Sequence, residues 1–332
     1  MGCFVITTDL HLTANPRDEY RWRLFPWLEE LLNKVPHPVQ DLFILGDLTE
    51  EKDGHNSLLV NRVVDSLVHL YRASGLTTIW ILRGNHDGID PETPYFRFLS
   101  HFPYIRFVHK PTEMELGNRD YLLLPHSRNP EEDWKELNFK NYNFILMHNT
   151  VTGAVAENGQ PLTGVHRAWF HTVQGKVFSG DVHVPQAVGN VEYVGAPYPI
   201  RFGDKFEPRV VMYLDHVRQP DPHPKNIARH RVTVKSAEEL HKLKCKPGDQ
   251  IKVRLALSKS EYLDWQRRKR EVLAACKELQ LDLYGLELER TGAALTDLQA
   301  TPHLSTPQEA LARFCQREKV DGLLREVGEF LL

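Results

Sequence analysis

Cysteine is scarce and scattered: Cys3, Cys245, Cys276 and Cys315 show no C-x-x-C spacing. Neither a disulfide framework nor a thiolate metal site is expected, and reduced structural thiols follow. No apolar run approaches the roughly 20 residues that cross a bilayer, and Met1 to Leu10 lacks the charged and apolar regions of a signal peptide. The expectation is a soluble, cytoplasmic protein without a membrane partner. An excess of positive charge is also missing. With 41 Lys and Arg against 44 Asp and Glu the net charge is −3, which excludes a uniformly basic nucleic-acid binder but allows a local basic patch. What is present is ordinary globular composition, 41% hydrophobic and 26% charged, in a 332-residue chain long enough for two domains.

The first 215 residues alternate short β-branched runs with helical patterns, which predicts a layered α/β domain. Strands are expected at Cys3 to Thr8, Asp41 to Leu45, Thr77 to Leu82, Tyr121 to Leu124, Asn143 to Met147, Lys176 to Ser179, Val191 to Val194 and Arg209 to Leu214. Leu24, Trp27, Leu28, Leu31 and Leu32 mark one amphipathic helix between Pro16 and Val35, and Leu59, Val63, Leu67 and Leu70 mark another. A proline-rich break at Gln219 to Lys225 is the expected domain boundary. Beyond it, a strand at Gln250 to Leu257, a helix at Ser260 to Leu279 capped by Ser260, and a strand at Asp282 to Glu289 predict a small α+β module. From Arg229 to Arg290, 15 Lys and Arg stand against 10 Asp and Glu, so this module carries +5 and the remainder −8, an asymmetry that suits a polyanion. Two short apolar helices are expected at Pro307 to Arg317 and Val320 to Leu332, packing on the chain's own body or on a partner.

Five clusters of metal-ligand residues directly follow predicted strands: Asp9-Leu10-His11, Gly46-Asp47, Gly84-Asn85-His86-Asp87, His148-Asn149 and Gly180-Asp181-Val182-His183. In an open α/β sheet the loops at the carboxyl ends of strands converge on one crevice, so these side chains can meet around one centre. Asp-x-His and Gly-Asp are individually common. Gly-Asn-His-Asp is rare, and the ordered set is specific. Two divalent cations about 3.5–4 Å apart need a bridging carboxylate and further oxygen and imidazole ligands, which these residue types supply. Glycines before Asp47, Asn85 and Asp181 let the backbone turn sharply there.

The ordered set resembles the calcineurin-like metallophosphoesterases, whose pattern is D-x-H, GD, GNH-D/E, H and GH-x-H. It is more similar to the SbcD or meiotic-recombination-eleven nuclease branch, because Gly195-Ala196-Pro197-Tyr198-Pro199 with Arg201-Phe202-Gly203-Asp204 resembles the stretch that follows GH-x-H there. The resemblance implies a four-layer β-sandwich flanked by helices (1–218), a small α+β capping domain (228–290) and a helical segment (300–332) that binds a coiled-coil ATPase. It also implies that Asp9, His11, Asp47 and His183 hold one metal, and that Asp47 as bridge, Asn85, His148 and Asp181 hold the other. His86 would contact the phosphate and protonate the leaving oxygen, while solvent activated by the metals attacks phosphorus in line. Asp87 would orient a neighbouring donor.

Two positions depart from the family pattern. Asp181 replaces an imidazole, and this harder, more anionic set shifts preference from zinc towards manganese, with magnesium the alternative. Glu50 stands where the nuclease branch has a further histidine, with His55 in the same loop. His126, at the end of a predicted strand, and Arg201 are candidates for lining the crevice. Arg267, Arg268, Lys269 and Arg270 form a basic run on the capping helix that suits DNA phosphates. The expected function is therefore a two-metal DNA phosphodiesterase, exonuclease or endonuclease, working as a homodimer with an SbcC-like coiled-coil ATPase in DNA recombination, repair or replication. The competing readings are a phosphoesterase for a small phosphomonoester, cyclic nucleotide or phosphoprotein, and a scaffold that has lost the chemistry.

Overall fold

The computed structural model describes residues 3–35, 39–203, 210–214, 217–221 and 227–291. Along the chain the strands are β1 (Cys3–Thr7), β2 (Val39–Ile44), β3 (Thr78–Leu82), β4 (Ile105–Val108), β5 (Thr112–Leu116), β6 (Arg119–Leu124), β7 (Phe144–Met147), β8 (Lys176–Ser179), β9 (Gln186–Val188), β10 (Val191–Tyr193), β11 (Val210–Leu214), β12 (Val217–Asp221), β13 (Arg229–Val234), β14 (Gln250–Leu257) and β15 (Asp282–Arg290). The α-helices are α1 (Glu19–Trp22), α2 (Leu24–Lys34), α3 (Ser57–Ser74), α4 (Pro130–Asp133), α5 (Lys259–Tyr262) and α6 (Trp265–Glu278). None of the described helices is long and apolar enough to cross a membrane.

Two six-stranded sheets form the main body, ordered β12-β11-β1-β2-β3-β4 and β5-β6-β7-β8-β10-β9. In the first, β1 to β4 run parallel; in the second, β6, β7 and β8 do. Strand alternation explains why the sheets stack. Phe4 and Ile6 of β1, Phe43 of β2, and Phe144 and Leu146 of β7 point into one shared core, while Val5, Leu42, Ile44, Ile145 and Met147 point away from it. Edge-to-face packing of Phe4 on Phe43 and Phe144, with ring centroids 5.5 and 5.0 Å apart, fills that core.

The outward faces are covered differently. The buried stripes of α2 (Leu24, Phe25, Leu28, Leu32) and α3 (Leu59, Val63, Leu67, Leu70) pack on the first sheet. Asn56 caps α3 by accepting from the Leu59 N–H, and Gly75 ends it in the left-handed conformation. Over the second sheet the cover is α4, single-turn 3-10 helices and loops anchored by Trp134, Val165 and Phe170.

The sequence reading missed β4, β5, β9, β12 and β13. β9 has only three residues, and β5 (Thr-Glu-Met-Glu-Leu) alternates with period two, Met114 and Leu116 packing on the shared core, but is short and carries only two apolar side chains. β12 runs through Gln219 to Asp221, with Pro220 tolerated on an edge strand, and 222–226 lie outside the described residues. The module after it is a three-stranded sheet, β13-β14-β15, in which β13 and β14 are parallel. The single helix expected from Ser260 is two. The N-cap is Ser258, whose capping box with Glu261 starts α5, and α6 follows from Trp265. The expected helices at 307–332 lie outside the described residues. The described residues divide into two compact units, 3–255 with Arg267–Glu287, and Ala256–Gln266 with 288–291.

Candidate metal centre

Loops after β1, β2 and β3 of the first sheet meet loops after β7 and β8 of the second. Four of the seven candidate ligands adopt a left-handed backbone: Asp9 (φ 54°), His11 (φ 43°), Asp47 (φ 52°) and Asp181 (φ 74°). The only other described non-glycine residue to do so is Gln280. Such conformations cost on the order of 1–3 kcal/mol each and persist where the surroundings over-determine them. Here the surroundings are backbone hydrogen bonds between loops: Asp9 N–H to the Gly46 carbonyl (3.1 Å), His11 N–H to the Asp47 carbonyl (2.8 Å) and Leu12 N–H to the Leu48 carbonyl (3.1 Å). Gly46 (φ 98°) makes the turn before Asp47, and a side chain on it would collide with the His148 ring. At Gly84 the need is space, not a turn: a Cβ there would collide with the carboxylate and backbone nitrogen of Asp47.

The functional atoms face inward and are nearly all acceptors. His11 Nε2 lies 3.2 Å from His183 Nε2 and 3.4 Å from Asp47 Oδ2. His148 Nε2 lies 3.4 Å from Asp47 Oδ1, 3.1 Å from Asn85 Oδ1 and 3.9 Å from Asp181 Oδ1. His183 Nε2 is 3.9 Å from Asp9 Oδ1, while Asp9 Oδ2 is buried without a partner. The amide oxygen of Asn85 faces only acceptors; turning the amide over would let it donate to both Asp47 oxygens at 3.1 Å. His148 donates from Nδ1 to the Leu45 carbonyl, which turns its Nε2 towards these oxygens, where a cation or a proton can sit.

Lone pairs packed this closely in a buried site repel unless protons or cations lie between them. Asp9, His11 and His183 form one group of ligand atoms within 4.8 Å of one another, and Asp9, Asp47 and His148 form a second. This donor set fits divalent cations. Without them, protons carry the load: burial opposes charge on Asp47, but His148 and His11 outweigh it and hold the carboxyl well below its usual range. Burial also opposes protonation of His148, yet Asp47 overrides it and lifts the imidazole to about 10.

Residues 4–185 match the calcineurin-like phosphoesterase family, a span that contains every candidate ligand from Asp9 to His183. The chain belongs to this family. Calcineurin-like phosphoesterases are metal-dependent hydrolases, in keeping with the converging acceptors. Over 161 residues the chain is also 24% identical to exonuclease subunit 1 of Enterobacteria phage T4, a match covering 46% of this chain and 47% of that protein. It thus spans about half the length of the relative.

The other sequence-predicted residues of this calcineurin-like phosphoesterase fall into distinct places. His86 donates its backbone N–H to Asp47 Oδ1 (2.8 Å), and its Nδ1 is 2.9 Å from the Glu50 carbonyl. Its ring stands edge-on to His11 with centroids 4.8 Å apart. Asp87 is fully buried and accepts from the Leu48 and Gly84 N–H groups (2.9 and 2.7 Å), tying the second loop to the third; burial and Asp47 push its carboxyl up to about 6. Glu50 reaches His11, with Oε2 2.9 Å from Nδ1. His55 does not join the cluster: Nε2 bonds the Thr49 hydroxyl (2.7 Å) and the ring packs on Tyr95. His126 lines a groove of about 880 Å³ with Arg128, Asn149, Thr150, Trp169 and Asp181, and burial holds its imidazole down at about 4. Arg201 is exposed beside Glu157 and His183. On α6, Arg267 and Arg268 pair with Glu271 (3.0 and 3.6 Å), and Lys269 and Arg270 are exposed.

Several residues that shape the site were not among the site residues expected from the sequence. Glu157 places Oε1 2.5 Å from His183 Nδ1, and Thr150 donates its hydroxyl to Asp181 (2.5 Å). Buried Arg21 donates to the His11 carbonyl and lies 3.7 Å from Asp18. Tyr198, in the stretch that resembles the nuclease branch, donates to the Leu10 carbonyl beneath the first loop, and Tyr20 donates to Pro199 (2.5 Å). Thr150 and Tyr198 lie in or beside the motifs, but what each of these residues holds is 10 or more positions away in the chain and is set by the fold.

Proposed function

We propose that this protein is a two-metal DNA phosphodiesterase, the nuclease subunit of a complex with an SbcC-like coiled-coil ATPase that acts in recombination, repair or replication. The observation that carries the reading is the convergence of seven ligand-type side chains from five strand ends, four of them on strained backbone, within a phosphoesterase domain. A relative named as an exonuclease subunit favours a nucleic-acid substrate and a multi-subunit assembly.

In this reading Asp9, His11, Asp47 and His183 hold one cation, and Asp47, Asn85, His148 and Asp181 the other. Manganese is the proposed metal, with magnesium the alternative, because carboxylate-rich sets favour hard cations. When bound, the cations supply Lewis acidity, making water nucleophilic at neutral pH and neutralising charge on phosphate oxygens. The chain's own work is positioning and proton transfer. Asp47 and the Glu50 carbonyl fix the His86 ring by its backbone and Nδ1, turning Nε2 towards the phosphate; as the imidazolium, with a proton on each nitrogen, the ring gives its Nε2 proton to the departing oxygen and is left neutral with Nδ1–H still on the Glu50 carbonyl. Asp87 keeps that loop rigid from behind. The groove lined by His126, Arg128 and Trp169 receives the strand beside the scissile bond, with the aromatic face available to a base.

The capping module (228–290) supplies phosphate contacts through Arg267, Arg268, Lys269 and Arg270, and 300–332 docks the ATPase; the nuclease domain (1–218) works as a homodimer. The test is cleavage of end-labelled single- and double-stranded DNA with manganese, beside p-nitrophenyl phosphate. DNA cleavage that chelation abolishes is the expected result. Hydrolysis of the monoester with no action on DNA would replace this reading with the small-substrate one.

A further inference from the structure

His11 and His183 come from different sheets, yet they are treated alike. Each turns Nε2 towards the same point, 3.2 Å from the other, and each has a glutamate carboxylate against the opposite ring nitrogen. Glu50 Oε2 is 2.9 Å from His11 Nδ1, and Glu157 Oε1 is 2.5 Å from His183 Nδ1. Both are close ionic contacts of buried ring nitrogens, short of the alignment of a full hydrogen bond. His148 shows the same logic with the Leu45 carbonyl as acceptor. Glu157 lies in none of the motifs. It sits in a loop closed by the bridge between Val155 and Pro161, with its side chain only 11% exposed against a His183 ring that is 10% exposed. A carboxylate in a solvent-facing loop has no reason to be turned inward unless something there holds it.

We infer that Glu157 is a positioning residue of the cation centre: it keeps the proton of His183 on Nδ1, as Glu50 does for His11, so that both Nε2 lone pairs face one cation. The inference rests on the two-cation reading above. A carboxylate behind a ligating imidazole fixes the tautomer, orients the ring and raises its basicity, and losing such a partner weakens metal binding about 10- to 100-fold. Glu157→Gln keeps an acceptor oxygen for the Nδ1 proton but removes the charge, whereas Glu157→Ala removes both.

The experiment uses the full chain with ¹⁵N-labelled histidine. In the metal-free protein the Nδ1 proton of His183, assigned by its absence from His183→Asn, should be shifted downfield and protected from exchange in wild type and Glu157→Gln, and lost in Glu157→Ala. In calorimetric titration with Mn²⁺, Glu157→Ala should bind about 10- to 100-fold more weakly and Glu157→Gln only severalfold. Metal-free melting temperatures should agree among the three proteins. A Glu157→Ala protein that keeps the protected proton and wild-type Mn²⁺ affinity overturns the inference and leaves the two-cation reading standing. Equal losses in both variants together with a lowered metal-free melting temperature also overturn it, since they mark a merely structural side chain. Loss of the Nδ1 proton in a protein whose wild type takes up no Mn²⁺ supports the positioning and sinks the two-cation reading instead.

Discussion

The two sheets contribute to the centre by different means. Loops of the first sheet, carrying Asp9, His11, Asp47, Asn85 and His86, are tied to one another by backbone hydrogen bonds and by the buried Asp87 carboxylate. Those of the second sheet, carrying His148, Asp181 and His183, have backbone bonds of their own, such as Ala196 N–H to the His183 carbonyl (2.9 Å) and Val165 N–H to the Thr150 carbonyl (2.9 Å), and add more side-chain tethers. Asn149 grips Ser127 (3.0 and 2.8 Å), Tyr193 accepts from the Val151 N–H (2.6 Å), Thr150 holds Asp181, and Glu157 abuts His183. A ladder of backbone bonds leaves ligand positions little freedom, because moving one loop breaks several bonds at once. A side-chain tether can be lost singly. The first sheet therefore supplies the rigid half and the second the adjustable half, and the departure from the family's imidazole, Asp181, falls in the adjustable half.

Mutations can break this contrast. The largest effect belongs to Asp47→Ala, which removes the carboxylate proposed as the bridge and the acceptor for the His86 N–H. Cleavage should fall by at least about a thousandfold with loss of bound metal, the two being read by rate and by elemental analysis. His86→Asn comes next: activity should drop about 10²- to 10⁴-fold while both metals remain, and stoichiometric loss of metal would mean that His86 is itself a ligand. Asp87→Ala probes the rigid half without touching a ligand. Two buried N–H groups would be orphaned, costing on the order of 3 kcal/mol, visible as a fall of several degrees in melting temperature.

In the second sheet, changes should alter metal preference more than fold. Asp181→Ala should raise the manganese concentration for half-maximal rate at least about tenfold, while Asp181→His should keep two metals and tolerate zinc better. An unchanged manganese midpoint for Asp181→Ala would make it a bystander. The smallest expected effect is Thr150→Val, which frees Asp181 from one hydroxyl; a shift of roughly fivefold in that midpoint corresponds to about 1 kcal/mol, with no change in melting temperature. A large drop in stability there would show the second sheet's loops to be as rigid as the first's.

Sequence by itself determined the parts of this protein that rest on local rules. Strands buried on both faces, such as Cys3–Thr7 and Phe144–Met147, read as continuous apolar runs, and α3 shows its buried stripe at helical spacing. The motifs at their ends named the residues that cluster, because a loop at a strand's carboxyl end has one crevice to enter. Tertiary structure decided the rest. Three-residue β9 exists because a neighbouring strand offers hydrogen bonds, and the short alternation of β5 becomes a strand only where β6 pairs with it and the shared core takes Met114 and Leu116. Whether Glu50 or His55 would face His11 from their common loop was open, and packing chose: His55 found Tyr95, and the carboxylate turned to the imidazole. Glu157, Thr150 and Arg21 serve the site across 26, 31 and 10 residues of chain, separations that only folding closes. A ligand's identity is written in short motifs, but the group that orients it can come from anywhere the fold brings near, and that choice depends on distance in space.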